Sequence, residues 1–155
     1  MTPPLSESPG GGPQSHSAKR IDLEIPNDVR EIERVVEAVR NECLLMRFAR
    51  RQIMLNVPVA LTEALSNAIL RGNAEDPDKV VRVRAWIDAH TLVIEVVDQG
   101  PGFDIEACTI DPTTPEYLEG EQGRGLFLMR KLMDEVEGYV QGAENVVRLT
   151  LRRAS

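Results

Sequence analysis

The stretch Val96-Val97-Asp98-Gln99-Gly100-Pro101-Gly102-Phe103 closes an alternating apolar run with a carboxylate and two closely spaced glycines. An aspartate at a strand end can accept a hydrogen bond from an exocyclic amino group, which would select adenine. Gly100 and Gly102 leave no Cβ between backbone and ligand, so a flat base can lie against the turn. Asp-x-Gly alone is an ordinary strand-to-turn ending, and its meaning comes from its surroundings. Beyond an intervening segment, Gly123-Arg124-Gly125 opens a helical pattern. Free N–H groups and the positive helix end attract anions there, and Arg124 adds charge if it points inward. Upstream, Glu63 and Asn67 stand one helical turn apart on a predicted helix. Such a carboxylate and amide can supply a base and a metal ligand.

The bulk composition narrows the function classes. The chain has 155 residues, a natural size for one domain with an ordinary core. Its formal charge is −7, so the phosphate-neutralising surface of a direct nucleic-acid binder is not expected. Arg47, Arg50 and Arg51 come nearest to a basic patch and read as a solvated helix face. The only cysteines are Cys43, on the apolar side of a helical pattern, and Cys108, in a loop-like stretch. Neither has metal-ligand spacing, which points to two reduced thiols in a reducing compartment. No run of about 18 apolar residues and no apolar signal core are read, so a cytoplasmic protein without a membrane span is expected.

Residues 1–20 hold four prolines, three glycines and four serines. With almost nothing apolar to offset ordering entropy, they read as a disordered tail ahead of a folded domain over 21–155. Ile21, Leu23 and Ile25 alternate with acids as a short half-buried strand ended by Pro26. Asn27 or Asp28 caps the next helix, and Asp28 to Glu31 has capping-box spacing. Ile32, Val35, Val36, Val39, Cys43 and Met46 make its stripe, with a bend expected near Arg50–Gln52. Pro58 suits the first turn of a second helix, whose core stripe is Leu61, Leu65 and Ile69 and whose stop is Gly72-Asn73. Glu63, Asn67 and Arg71 share another face, a pattern that is most often plain solvated surface.

Two alternations, Val81-Val83-Ala85-Ile87 and Leu92-Ile94-Val96, flank Asp88-Ala89-His90 and predict an antiparallel hairpin. His90 then reads as a turn residue. Residues 103–122 have few apolar anchors and read as a lid over a ligand. A helix is expected from Gly123 to Asp134, with Leu126, Met129, Met133 and Val136 near one face, the methionines as core filler. Strands around Tyr139–Gln141 and Val146–Leu151 follow, and no internal repeat is visible. The fold class is α+β, a two-layer sandwich of a mostly antiparallel sheet with helices on one face.

The order of these motifs resembles the GHKL (histidine-kinase-like) ATPase superfamily over about residues 25–152. Glu63-Ala64-Leu65-Ser66-Asn67-Ala68 is similar to its N box, Asp98 to Gly102 to its first glycine box, and Gly123 to Leu126 to its second. No Walker-type glycine-lysine loop is present, which suits a superfamily that binds ATP differently. Within it, the chain is most similar to bacterial anti-sigma-factor serine kinases, through Gly125-Leu126-Phe127-Leu128-Met129 and Met133-Asp134-Glu135-Val136. Transmitter histidine kinases share the boxes and normally add a helical hairpin with a phosphoacceptor histidine, for which no segment is read here.

The resemblance implies ATP and Mg²⁺ as cofactors, with Asn67 as metal ligand, Asp98 holding adenine, and Gly100, Gly102, Gly123, Arg124, Gly125 and Leu126 around the nucleotide. It implies Glu63 as general base on a serine of a protein substrate. It also implies a sigma factor and an anti-anti-sigma protein as partners, commonly with a homodimer. Two positions depart. Glu144-Asn145 stands where many relatives have Gly-Thr near adenine, and Arg71 where many have a histidine. Two other readings are a nucleotide-sensing module that binds a partner without phosphotransfer and a stand-alone ATPase module of a two-component pathway.

Overall fold

A computed structural model describes residues 18–100 and the backbone from Glu121, with side chains from Gly125 to Ala154. Of the lid expected over 103–122, residues 103–120 lie outside the described residues and 121–122 belong to a helix; Gly102, Cys108 and the first seventeen residues of the expected tail also lie outside them. Among the described residues, five strands form one antiparallel sheet. They are β1 (Lys19–Pro26), β2 (Val80–Ile87), β3 (Thr91–Asp98), β4 (Glu135–Gln141) and β5 (Glu144–Arg152), in spatial order β1-β2-β3-β5-β4. Helices α1 (Ile32–Leu45), α2 (Val57–Asn67) and α3 (Glu121–Leu132) form the second layer. This is the α+β sandwich expected.

The registers explain how one core serves both layers. Ile21 pairs with Ala85, Ile25 with Val81, Ala85 with Ile94 and Ile94 with Leu149, so rows of apolar side chains face one way. They share a single core with Val35, Val39, Leu61, Leu65, Met129 and Met133 from the helices. Full burial of such a side chain contributes about 1.5–3 kcal/mol. The opposite sheet face carries an in-register row, Arg84–Glu95–Arg148–Glu137, of alternating sign. Glu95 is 2% exposed and meets Arg84 at 3.1 Å and Arg148 at 2.9 Å. Cross-strand charges of alternating sign stabilise each other on this face.

The element ends differ from expectation in several places, each for a local reason. Strand β1 starts at Lys19, not Ile21, because Lys19 and Arg20 pair with Ile87 and Trp86. Asp28 caps a short 3₁₀ turn, Val29–Glu31, that leads into α1, accepting from the Arg30 N–H at 2.9 Å. The reciprocal half of a capping box is absent, since Glu31 accepts instead from Arg34 at 2.8 Å. Helix α1 does not bend near residue 50. It stops in a Schellman motif, with Arg47 N–H donating to the Leu44 carbonyl at 3.1 Å and Phe48 N–H to Cys43 at 3.0 Å. Arg47 takes the left-handed position (φ 61°) usually given to glycine. Phe48 and Cys43 pack together in the core.

Helix α2 continues π-turns at both ends, Gln52–Asn56 and Ala68–Gly72. The first widens the backbone just before Pro58, which cannot donate a helical hydrogen bond. The whole run Gln52–Gly72, 21 residues, is long and apolar enough by length and composition to cross a membrane, a run the sequence reading did not register. Its Val57, Leu61 and Leu65 have no exposed surface, because they fill this domain's core. Helix α3 begins two residues before Gly123, since Glu121 and Gln122 are good helix formers. Val136 lies on β4, not on α3, because the Asp134 N–H already pairs with Thr150 at 2.8 Å. Both flanking strands are longer than expected.

The Cys43 thiol has no exposed surface, and burial, with a smaller push from Glu42, raises its pKa to about 12. The thiolate is the nucleophile, so Cys43 is expected to resist alkylation in the folded protein. A Cys108→Ser variant, in which Cys43 is the sole thiol, should react with iodoacetamide at pH 8 only once unfolded by urea. Arg47→Gly should raise stability by about 0.5–1 kcal/mol, read as a higher urea midpoint, because glycine removes the left-handed cost.

Candidate functional site

Helix α2 is apolar on the side facing the sheet, so its remaining face is turned toward α3. Glu63, Ser66, Asn67 and Arg71 on that face line a cavity of about 590 Å³ with Gly125 and Leu128 of α3. Leu70 and Glu75 complete the described lining. Gly125 allows the two helices to approach: a Cβ there would stand 2.7 Å from Glu63 Oε1 and 3.5 Å from Asn67 Nδ2. Glu63, Asn67 and Gly125, drawn from two separate motifs, therefore meet at one point. Asn67 Nδ2 is buried with no hydrogen-bond partner. A buried polar atom without a partner is costly and marks a place where a ligand can complete the pairing.

The second half of the arrangement is built where α2 ends against β3. The π-turn Ala68–Gly72 closes with Asn73 N–H donating to the Ala68 carbonyl at 2.8 Å. Gly72 lies so close to Asp98 that a Cβ would overlap the carboxylate, and a Cβ at Gly100 would overlap the Gly72 carbonyl. Asp98 is 7% exposed, and its Oδ1 accepts from the Gly100 N–H at 3.0 Å and from Asn145 Nδ2 at 3.0 Å. Asn145 Nδ2 also donates to the Gly100 carbonyl. Asp98 and Gly100 do not line the cavity itself and are joined to it through the π-turn that carries Arg71 and Gly72.

The remaining expected residues are placed as follows. Gly123 sits in the first turn of α3, two residues after the helix begins. Arg124 has its backbone in the helix, and its side chain is outside the described residues, as is Gly102. Leu126 is 2% exposed and packs into the core, so it can meet a ligand only through its backbone. Arg47, Arg50 and Arg51 are exposed and lie away from the cavity lining. Among the described residues, no group of three His, Cys, Asp or Glu side chains could hold a metal by itself.

Sequence reasoning missed two contributors, Gly72 and Asn73. Gly72 and Asn73 read as a helix stop, yet Gly72 is the contact surface for Asp98. Asn73, with no exposed surface, accepts from Gln99 N–H at 2.7 Å and donates to Val80 at 2.9 Å. Asn145 read as a departure, and its contact with Asp98 follows from their opposition in the β3–β5 register. The available signal was the pairing of an amide-bearing strand start with an acidic strand end.

Comparison with known proteins places the chain in a family. The profile of the histidine kinase-like ATPase domain matches residues 24–151, and the chain belongs to that family. It is 30% identical over 128 residues to the serine-protein kinase RsbW of Bacillus velezensis, covering 79% of each chain. It is 31% identical over 97 residues to the anti-sigma F factor of Thermoanaerobacter sp. strain X514, covering 61% of this chain and 67% of that one. The fold is similar to a crystal structure of the RsbU and RsbW domains of a Mycobacterium tuberculosis protein. The TM-score is 0.64 at 16% identity, over 88% of this chain and 33% of that one.

The glycines separate site effects from fold effects. Gly125→Ala meets only the far end of the Glu63 side chain, which can swing away, so the thermal midpoint should stay within about 2 °C. Gly100→Ala meets backbone and should cost about 1–3 kcal/mol, the range of an overpacked site. Differential scanning calorimetry of the two variants checks the contrast; equal losses would contradict this geometry.

Proposed function

We propose that this chain binds ATP with Mg²⁺, its phosphates in the cavity between α2 and α3 and its base at the adjoining Asp98 corner, and transfers the terminal phosphoryl group to a serine of a protein partner. In this reading it also sequesters a sigma factor, its substrate is an anti-anti-sigma protein, and it acts in the cytoplasm. The observation that carries the proposal is the meeting of Glu63 and Asn67 at Gly125, inside one cavity. The names of the similar proteins, an anti-sigma F factor and a serine-protein kinase, support the partner and substrate class.

The residues fit the cofactor. The partnerless Asn67 amide faces Gly125, and a half-turn of the amide presents Oδ1, an oxygen suited to Mg²⁺. Mg²⁺ is commonly held by few protein oxygens together with substrate phosphates and water, which matches a site with Asn67 and no three-residue metal cluster among the described residues. When bound, the ion neutralises phosphate charge. Asp98 receives the adenine amino group, held in place by the close packing of Gly72 and Gly100 around it. Glu63 accepts the proton of the attacking serine hydroxyl. The new oxygen–phosphorus bond forms as the bond to the leaving ADP breaks. Arg71 supplies a cation on the cavity wall one turn beyond Asn67.

A positioned general base contributes about 10²–10⁴-fold. Glu63→Gln should therefore lower phosphotransfer at least about 100-fold while ATP affinity stays near that of the parent. Intact-mass measurement of an anti-anti-sigma-type protein incubated with the chain and Mg-ATP reads the transfer as a gain of one phosphate. Transfer unaffected by Glu63→Gln would remove Glu63 as base. ATP binding without any gain would instead support the nucleotide-sensing module that does not phosphorylate.

A further inference from the structure

We propose that the corner where α1 ends and the next helix begins is a docking surface for an acidic, amphipathic helix of a partner protein. The surface stands apart from the nucleotide reading, since none of its residues is among the described lining of the cavity between α2 and α3.

Leu44 and Leu45, in the last turn of α1, are 62% and 72% exposed, and Met54 near the start of the following helix is 56% exposed. Arg40 joins the two helices here: its Nε donates to the Ile53 carbonyl at 3.1 Å, and its Nη2 meets Met54 Sδ at 3.3 Å. Leu44 lies one turn beyond Arg40 on the same face of α1. Leu44 and Met54 therefore form an apolar strip across two helices, open to water.

Cations edge this strip. Arg50 and Arg51 stand one turn before Met54, and Arg47 occupies the turn between the helices. Arg153 reaches the same place from beyond β5, its Nη1 donating to the Arg47 carbonyl at 3.3 Å. Elsewhere arginines are commonly neutralised, as Arg34 is by Glu31 and Arg148 by Glu95. Arg47, Arg50, Arg51 and Arg153 form no ion pair with a described residue. On the adjoining turns of α1, Glu37 is engaged by Arg40 at 2.9 Å and Glu42 remains. The corner is thus net positive in a chain of net charge −7.

Folding alone does not account for these residues. Arg50 and Arg51 form the first turn of a helix, the positive end of its dipole, where acids are favoured. Arg47 holds a left-handed conformation (φ 61°) that glycine would adopt at lower cost. Local conflicts of this kind gather where a function maintains them. A second copy in a two-fold contact would set these cations against themselves. Leucines at the centre of the patch offer nothing to a nucleic-acid phosphate, and an anionic bilayer repels a chain of net charge −7 at long range. A helix with an apolar stripe edged by Asp or Glu satisfies both features, covering Leu44 and Met54 and pairing with the arginines. The flexible Met54 side chain can adapt to such a stripe.

The probe is a labelled synthetic helical peptide with a leucine stripe edged by glutamates, titrated with the full chain and followed by fluorescence anisotropy. Binding should saturate and should fade as salt approaches about 1 M, where the screening length falls to about 3 Å. Arg50→Glu combined with Arg51→Glu should weaken it at least about tenfold through like-charge contact. The thermal midpoint of that variant should hold or rise, because acids suit the helix start. Leu44→Ser should weaken binding about tenfold, as for an apolar anchor. Arg47→Gly should weaken binding about two- to fivefold while raising stability, a combination that a purely structural role would not produce. A counterpart peptide with lysines in place of the glutamates should not bind.

No binding of the glutamate peptide, equal binding of the lysine peptide, or binding indifferent to the arginine reversals would overturn the proposal. So would a chain that ignores the peptide and binds vesicles of anionic lipid through the same arginines.

Discussion

Asn73 has no exposed surface, and both ends of its amide are occupied by chain segments distant in sequence. Its nitrogen donates to Asn27 Oδ1 at 3.1 Å and to the Val80 carbonyl at 2.9 Å; its oxygen accepts from Gln99 N–H at 2.7 Å. One side chain thereby joins the corner after β1, the start of β2, the end of β3 and the end of the long helix. Buried polar groups must be paired, so this knot is satisfied only when all four segments arrive together. The approach of Gly72 to Asp98, and of Gly100 to Gly72, follows from it. The corner formed by Gly72, Asp98 and Gly100 is therefore part of the fold's main junction and not an appendage to it.

The cavity between α2 and α3 is organised by a different constraint. The α2 helix buries its apolar stripe so fully that the opposite face has a single possible orientation, toward α3. Gly125 then leaves room for the Glu63 carboxylate and the Asn67 amide, which meet at one wall. The π-turn between Asn67 and Gly72 links this wall to Asp98, so the two halves of the site are connected by a short, hydrogen-bonded piece of backbone. π-turns inside helices are frequent at functional sites for this reason, since they re-aim side chains without ending the helix. The opposite sheet face carries its own row of paired charges, with Glu95 buried between Arg84 and Arg148.

Much of this was legible in the residues. The apolar alternations of β2 and β3 and the stripe of α1 assigned elements correctly because burial on one face imposes period two or about 3.6. Glu63, Asn67 and the glycine pairs pointed to a nucleotide through their order along the chain. The errors fell at element ends. Arg47 terminates α1 where a glycine would have signalled the Schellman motif, and Glu31 chose Arg34 over its capping role. Val136, in phase with the preceding helix, was claimed by β5 instead. In each case a tertiary or neighbouring partner outcompeted the local preference.

By itself, the sequence determined which faces are apolar, the order of strands and helices, and which polar residues those faces leave over. These depend on side chains a few positions apart, and a linear reading captures them. Only the tertiary structure decided that Gly72 abuts Asp98, that Asn145 pins the same carboxylate, and that Gly125 faces Glu63. Those contacts join residues separated by long stretches of chain. Their distances are set by sheet register and helix packing, to which every core residue contributes and which no single motif encodes.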